Sequence, residues 1–479
     1  MRSNKALCTL AAALFAHASF ATTIAIDNVN TAGVGFNDAT PATPVGGNSG
    51  TTLGQQRLNV FQKAASQWSR LLNSNVTIKV QASMVALTCT ATSATLGSAG
   101  AIATVAAFPG APRALTSYNV AEANALSGTD LDPTHDDIQA QFNVSLDAGD
   151  PNCLGGEKWW YGTDPSVTPD PNTVPLLPVV FHELGHGLGF TANTSTSGAF
   201  LTPDPPVWAS YLFDAQVNAL WKNMSGAQRA SSASNDPHLV WTGPRTNQRA
   251  GGYLRAGNAL IVNSPAGLAG PQEVGIAAFG PAVPAGGISA NLVLANDGTG
   301  TTTDACEALT NGAAVSGKIA LIDRGTCNFV VKVKNAQNAG AIAAVIVNNA
   351  VEALRTPLLL GGTDATITIP SYSVTQTLGT ALEGAGTANA TLGYANLGVD
   401  QGCVRMFAPN PVLSGSSISH FHADASPNLL MEPALNTTIF DHVDLTLPLF
   451  ADIDWSVNNV DDFLFFDGFD PNPCQHVQP

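Results

Sequence analysis

The sequence predicts an α+β fold interrupted by a separate α/β domain, and three observations point there. A strand, a long amphipathic helix and a second strand precede the stretch HELGHGLGF, His182 to Phe190. From about Leu260 to Leu397 the composition shifts to Ala, Gly, Val and Thr, poor in aromatics and histidine, with a βαβ pattern of its own. Beyond that segment a second histidine-bearing stretch, Ser414 to Asn436, returns to the character of the first part.

The opening residues read as a targeting segment. Arg2 and Lys5 are basic, Ala6 to Phe20 is mainly apolar, and Ser19-Phe20-Ala21 places small residues where signal peptidase reads, so cleavage is expected after Ala21 and the protein is expected to be secreted. His17 and Ser19 interrupt the apolar run, and no later stretch reaches membrane-spanning length, so no membrane association is expected after cleavage. Loss of Arg2 and Lys5 from the 19 basic residues leaves 17 against 35 acidic ones, a charge that argues against nucleic acid and anionic membranes as partners. Cys8 leaves with the signal. The remaining Cys89, Cys153, Cys306, Cys327, Cys403 and Cys474 are even in number and suit three disulfides in an exported chain. Proximity favours Cys306 with Cys327, then Cys89 with Cys153 and Cys403 with Cys474. Without a C-x-x-C pair, a cysteine-ligated zinc is not expected.

Thr23 to Asp27 alternates as a strand, and Leu53 to Leu72 places Leu58, Phe61, Ala65, Trp68 and Leu72 on one helical face. Val76, Ile78 and Val80 continue as a strand. Ile138 to Val144 reads as a further strand, at the sheet edge. Asp130, Asp132, Asp136 and Asp137 cluster around His135, followed by Asp147 and Asp150; acids at this density could hold calcium, although no spaced calcium-loop pattern is present. Trp159, Trp160 and Tyr161 suit either cleft lining or burial. Val207 to Trp221 is expected to be helical, and so is Leu445 to Trp455.

His182-Glu183-Leu184-Gly185-His186 is an H-E-x-x-H sequence. On a helix, residues four apart project from one face, so His182 and His186 can share a zinc ion while Glu183 stands beside it. A carboxylate there can take a proton from a water that zinc acidifies and pass it to a leaving amine. The structural alternative is a buried helix that happens to carry two histidines; PLLPVV (Pro175 to Val180) supplies its apolar residues, and Gly187 and Gly189 can end it.

Inside the Ala/Gly-rich segment, KIALID (Lys318 to Asp323), a helical NFVVKVKNAQNA (Asn328 to Ala339), Gly340 and AIAAVIV (Ala341 to Val347) form a compact βαβ unit. The stretch from Val315 to Asn349, with ITIPSYSV (Ile367 to Val374) downstream, resembles the protease-associated (PA) domain. That resemblance implies a non-catalytic module that binds substrate or a partner, attached to a secreted protease.

Catalytic zinc takes three protein ligands and keeps one position open. The metzincin proteases supply the third in H-E-x-x-H-x-x-G-x-x-H; here Gly189 is in place, but no histidine follows it through Asn193. SGSSISHFHADASPNLLMEPALN, Ser414 to Asn436, resembles instead the leishmanolysin-like branch of the metzincins, in which an insertion separates the glycine from the third histidine. By that resemblance His420 in Ser-His-Phe is the third ligand and Met431 is the methionine of the turn beneath the metal. His422 competes with His420, and only one of the pair is expected to face the zinc. Glu432 is a weaker alternative. The insertion costs little entropy if its ends lie side by side.

The expected organisation is a signal peptide over 1–21, the first part of a metzincin-like zinc protease domain over 22–257, an inserted PA-like domain over 258–397, the second part of the protease domain over 398–460 and an acidic, aromatic tail over 461–479. The expected function is a secreted zinc endopeptidase acting on proteins or peptides, with Glu183 as general base and one catalytic zinc on His182, His186 and His420. The rivals are a PA-domain aminopeptidase and a catalytically inactive zinc-containing binding or adhesion protein.

Overall fold

The computed structural model describes residues 22–350, 357–434, 444–458 and 474. The expected signal peptide and, apart from Cys474, the acidic tail lie outside the described residues. The chain divides into two compact units, one of residues 1–114, 118–189 and 454–465, the other of residues 115–117, 190–453 and 466–479.

The first unit is built on a four-stranded sheet in the order Ile24–Asn28, Ile78–Val85, Ile138–Asn143, Gly97–Ala101. The first three run parallel, and Gly97–Ala101 runs antiparallel to Ile138–Asn143. Ile138–Asn143 is therefore interior, not the edge that the sequence suggested; its alternating pattern marks a strand but cannot say what pairs beyond it. The true edge reads Gly-Ser-Ala-Gly-Ala, which lacks the β-branched and aromatic residues that announce strands. Its backbone is ordered by the free ladder of its neighbour.

The helix Leu53–Leu71 starts where the Thr52 side chain accepts the N–H of Gln55, and it buries Val60, Phe61, Ala64, Ala65 and Trp68. Trp68 Nε1 donates to the Phe181 carbonyl at 2.9 Å, which fixes this helix to the motif helix, Leu176–Leu188. Arg57, fully buried, donates to Tyr161 Oη (3.1 Å) and Asp147 (2.7 Å), so its charge is matched inside the core. Trp159, Trp160 and Tyr161 are all buried. The Cys89–Cys153 disulfide closes this unit's long loops.

In the second unit, residues 257–395 form an eight-stranded mixed sheet. Its parallel centre is Ile288–Leu294, Ile319–Asp323, Ala343–Val347 and Ser371–Val374. Strands covered on both faces read as continuous apolar runs, which is why KIALID and AIAAVIV show no alternation. Leu321, Val345 and Val347 pack on one face with Leu382, and Ala320, Ile322, Ala344 and Ile346 on the other with Val333 and Ala336 of the helix Phe329–Asn338. The Cys306–Cys327 disulfide lies within this part. Gly257 pairs with Ala395, so the chain enters and leaves the sheet at adjacent points.

Just outside the sheet, Leu239–Trp241 pairs antiparallel with Cys403–Arg405. The Val207–Trp221 helix expected from the sequence is instead a short 3-10 turn, Val207–Ser210, followed by strands Leu212–Asp214 and Ala219–Leu220. The cause is local: Asp214 accepts the N–H groups of Gln216 and Val217, both at 2.9 Å, and so reverses the chain where a helix would have continued. The expected helix near the C-terminus is present as Thr446–Asp452. Cys403 and Cys474 form the third disulfide, completing the pairing that sequence proximity favoured.

Candidate metal centre

The motif lies on the helix Leu176–Leu188. Gly187 faces Ile138, where an added Cβ would come within 2.4 Å of Ile138 Cγ2, so glycine lets the helix lie directly on the sheet. Gly189 ends it with φ 132°, a value that side-chain-bearing residues avoid. One turn apart, His182 and His186 bring their Nε2 atoms to 3.1 Å. At that distance one ring N–H can donate to the other ring, and the separation is also close to the ~3.3 Å between nitrogens each ~2.05 Å from a tetrahedral zinc. The donor chemistry thus fits a small cation of the zinc type.

Glu183 accepts the Ala99 N–H on Oε2 at 3.0 Å. Burial pushes its carboxyl up to about 7, and the Ala99 amide opposes that rise. The edge strand Gly97–Ala101 thereby touches the motif's carboxylate, and Ala99 is a residue that no sequence signal singled out.

The two candidate third histidines have different surroundings. His420 is buried, and its Nδ1 donates to the Ser416 carbonyl at 2.7 Å; a protonated Nδ1 leaves Nε2 as the basic nitrogen. His422 is engaged at both ring nitrogens: Nε2 lies 3.0 Å from Asp236 and 2.9 Å from Arg405 Nη2, and Nδ1 lies 3.3 Å from Asp424. Asp236 is held below the ordinary carboxylate range by His422 and Arg405 against the effect of burial. The backbone of 420–422 is clamped on both sides, since Phe407 N–H donates to the His420 carbonyl, His422 N–H to the Arg405 carbonyl and Phe421 N–H to the Met431 carbonyl. Met431 is fully buried. Glu432 turns back to accept the Leu429 N–H at 2.8 Å, and burial pushes its carboxyl up to about 9.

The acids that suggested calcium each have protein partners. Asp130 pairs with Lys79, Asp137 accepts from the Lys79 N–H and from Asn124, Asp132 accepts from Thr134, and Asp136 shares a hydrogen bond with Asp27. Asp147 is bound to Arg57 and Tyr161, and Asp150 to Asn152. Among the described residues, the acids whose oxygens do gather, within 4.8 Å, are Asp297, Asp304 and Glu307, with the buried Lys332 ammonium 3.7 Å from Asp304.

Residues 288–382 match the PA domain, so the chain contains one. Among curated proteins, the chain is 51% identical over 47 residues to the ER degradation-enhancing alpha-mannosidase-like protein 3 of Homo sapiens, covering 10% of this chain and 5% of that protein. It is 34% identical over 121 residues to the signal peptide peptidase-like 2 of Arabidopsis thaliana, covering 24% and 21%. Vacuolar-sorting receptor 1 of Pisum sativum is 33% identical over 99 residues, covering 21% and 16%. The chain thus spans between 5% and 21% of the length of these relatives. Among solved structures, a zinc aminopeptidase from Bacillus subtilis is 26% identical, covering 30% of this chain and 31% of that one at a TM-score of 0.23. An aminopeptidase from Aneurinibacillus sp. strain AM-1 is 21% identical, covering 40% and 41% at a TM-score of 0.23. Among the described residues no helix is long and apolar enough to cross a membrane.

Proposed function

We propose that the chain is a secreted zinc-dependent endopeptidase of metzincin type, with His182, His186 and His420 as the zinc ligands. The observation that carries the reading is the pair of Nε2 atoms 3.1 Å apart on one helix face, with a half-buried carboxyl near neutrality between them in sequence. Zinc bound there would polarise the scissile carbonyl and acidify the attacking water. Glu183, one oxygen steadied by Ala99, takes the proton from that water and gives it to the departing amine, a shuttle suited to a group that titrates close to working pH. No covalent adduct with the protein is formed.

Three observations support His420 over His422. The last histidine of the short metzincin pattern would fall at Ala192, and the Ala192 N–H donates to Oγ of Ser419, the residue before His420, at 3.1 Å. Ser416 holds His420 in the tautomer that keeps Nε2 basic. The ring nitrogens of His422 are already occupied by Asp236, Arg405 and Asp424. The edge strand beside Glu183 favours an endopeptidase, because an extended substrate can add to a sheet edge and run past the carboxylate in both directions. The PA domain is assigned the binding of protein segments, in keeping with its likeness to a sorting receptor.

The test is zinc content together with cleavage of an unfolded protein by wild type and Glu183→Ala. Bound zinc with cleavage only by wild type is expected; equal, negligible cleavage by both would overturn the protease reading. Cleavage confined to free N-terminal residues would favour an aminopeptidase.

A further inference from the structure

The buried ionic cluster around His422 belongs to no step of the chemistry above, yet it joins three separated parts of the second unit. Arg405 Nη2 donates to Asp236 at 2.7 Å, ahead of the inserted sheet in sequence, and Nη1 donates to the Leu397 carbonyl at 2.6 Å, at the sheet's exit. The same guanidinium contacts His422 and lies 3.7 Å from Asp424, both beyond the insertion. Asp424 is in turn hydrogen-bonded to Glu273, which follows the sheet's strand Gly270–Gln272. Glu273, Arg405, His422 and Asp424 line one cleft of about 270 Å³, together with Pro271 from the sheet and Leu378 from the helix Gln376–Gly384.

We propose that Glu273 is a positioning residue that ties the PA-containing sheet to the segment 420–422, so that the inserted domain fixes the aim of His420. This rests on the reading of His420 as a zinc ligand, but its mechanical part does not. Asp424 takes the pull just beyond this segment: its carboxylate faces His422 Nδ1, and its N–H approaches the same nitrogen at 3.2 Å. His422 is hydrogen-bonded through its own N–H to the Arg405 carbonyl, and Phe421 through its N–H to Met431. Loosening Asp424 therefore loosens the backbone on which His420 sits. Two carboxyl groups can share a hydrogen bond only if one is protonated, and burial with the neighbouring Asp424 does push Glu273 up to about 10, with Arg405 acting against that rise. The groups facing the pair are Arg405, Asp236 and His422.

The test is amide hydrogen exchange on the metal-free full chain, comparing wild type, Glu273→Ala and Glu273→Gln, whose amide can still donate to Asp424. A lost hydrogen bond of about 1 kcal/mol corresponds to roughly fivefold faster local opening. Glu273→Ala is expected to accelerate exchange at Phe421 and His422 by roughly fivefold, with Ile322 and Val345 in the sheet unchanged, and Glu273→Gln is expected to restore the wild-type rate. Unchanged rates at Phe421 and His422, acceleration throughout the sheet, or failure of Glu273→Gln to restore would each overturn the proposal. A zinc titration of the same proteins separates the two readings: absence of zinc binding by wild type sinks the metal assignment alone, while unaltered exchange in Glu273→Ala sinks this one alone.

Discussion

The motif helix and the irregular segment 420–422 hold histidines in opposite ways. On the helix, His182 and His186 are aligned by backbone periodicity, and the surrounding fold needs only to seat the helix on the sheet through Gly187 and Trp68. In the segment 420–422, His420 is held by Ser416 and Phe407, Phe421 by Met431, and His422 by Arg405 and by Asp236, which lies far off in sequence. A local device survives most changes outside its own turn. A device assembled from distant segments depends on each of them.

The largest effect expected bears on the local half. Glu183→Ala should lower kcat by roughly 10²- to 10⁴-fold while zinc content stays at the wild-type level, because a general base is removed and no ligand is. Activity lost together with zinc would show that the carboxylate acts as a ligand, and the contrast drawn here would fail.

Next comes the distant half. His420→Ala should abolish zinc retention on dialysis, whereas His422→Ala should retain zinc and lose stability by about 1 to 3 kcal/mol, since Asp236 and Arg405 lose a partner. Denaturant unfolding and metal analysis of both variants check this, and zinc loss confined to His422→Ala would reverse the ligand assignment.

A smaller change probes the seat of the motif helix. Gly187→Ala places a methyl group against Ile138, and about 1 to 3 kcal/mol of destabilisation is expected from overpacking. A melting temperature unchanged within a degree would mean that the helix can shift at no cost, and then Gly187 does not set its place.

The smallest effect concerns the PA-containing sheet. Burial, then the neighbouring Asp323, pushes the Glu383 carboxyl up to about 7 from its ordinary 4.5. A carboxyl with a raised folded value binds its proton more tightly in the folded chain, so its contribution is least unfavourable at low pH and is lost as pH rises from about 4.5 to 7. Glu383→Gln should therefore raise the melting temperature at pH 8 and leave it nearly unchanged at pH 5. The same gain at both values would place the effect outside titration.

Much of the candidate site could be read from sequence, for reasons that differ by residue. His182, Glu183 and His186 sit at a spacing that only a helix converts into a common face, and the apolar run from Leu176 guarantees that helix. The βαβ run from Lys318 to Val347 was equally legible, because strands buried on both faces and an amphipathic helix leave distinct patterns. Ala99 was not legible: its role is a backbone N–H on an edge strand of small residues, and any side chain would supply the same donor. Arg405 and Asp236 were missed because 168 intervening residues hide a contact that the adjacent ends of the inserted sheet make short. The Val207–Trp221 helix was misread because a single side chain, Asp214, offered the backbone a competing turn.

By itself the sequence determined the motif helix and the spacing that sets His182, Glu183 and His186 on it, since these depend on residues close along the chain, whereas for the six cysteines it only favoured one pairing among several. Only the tertiary structure decided that Gly97–Ala101 is the sheet edge at Glu183 and that His422 is spent in an ionic cluster while His420 keeps a basic nitrogen. Those outcomes depend on which distant backbone and charged groups meet, and a contact between distant groups leaves no periodicity in either segment for the sequence to display.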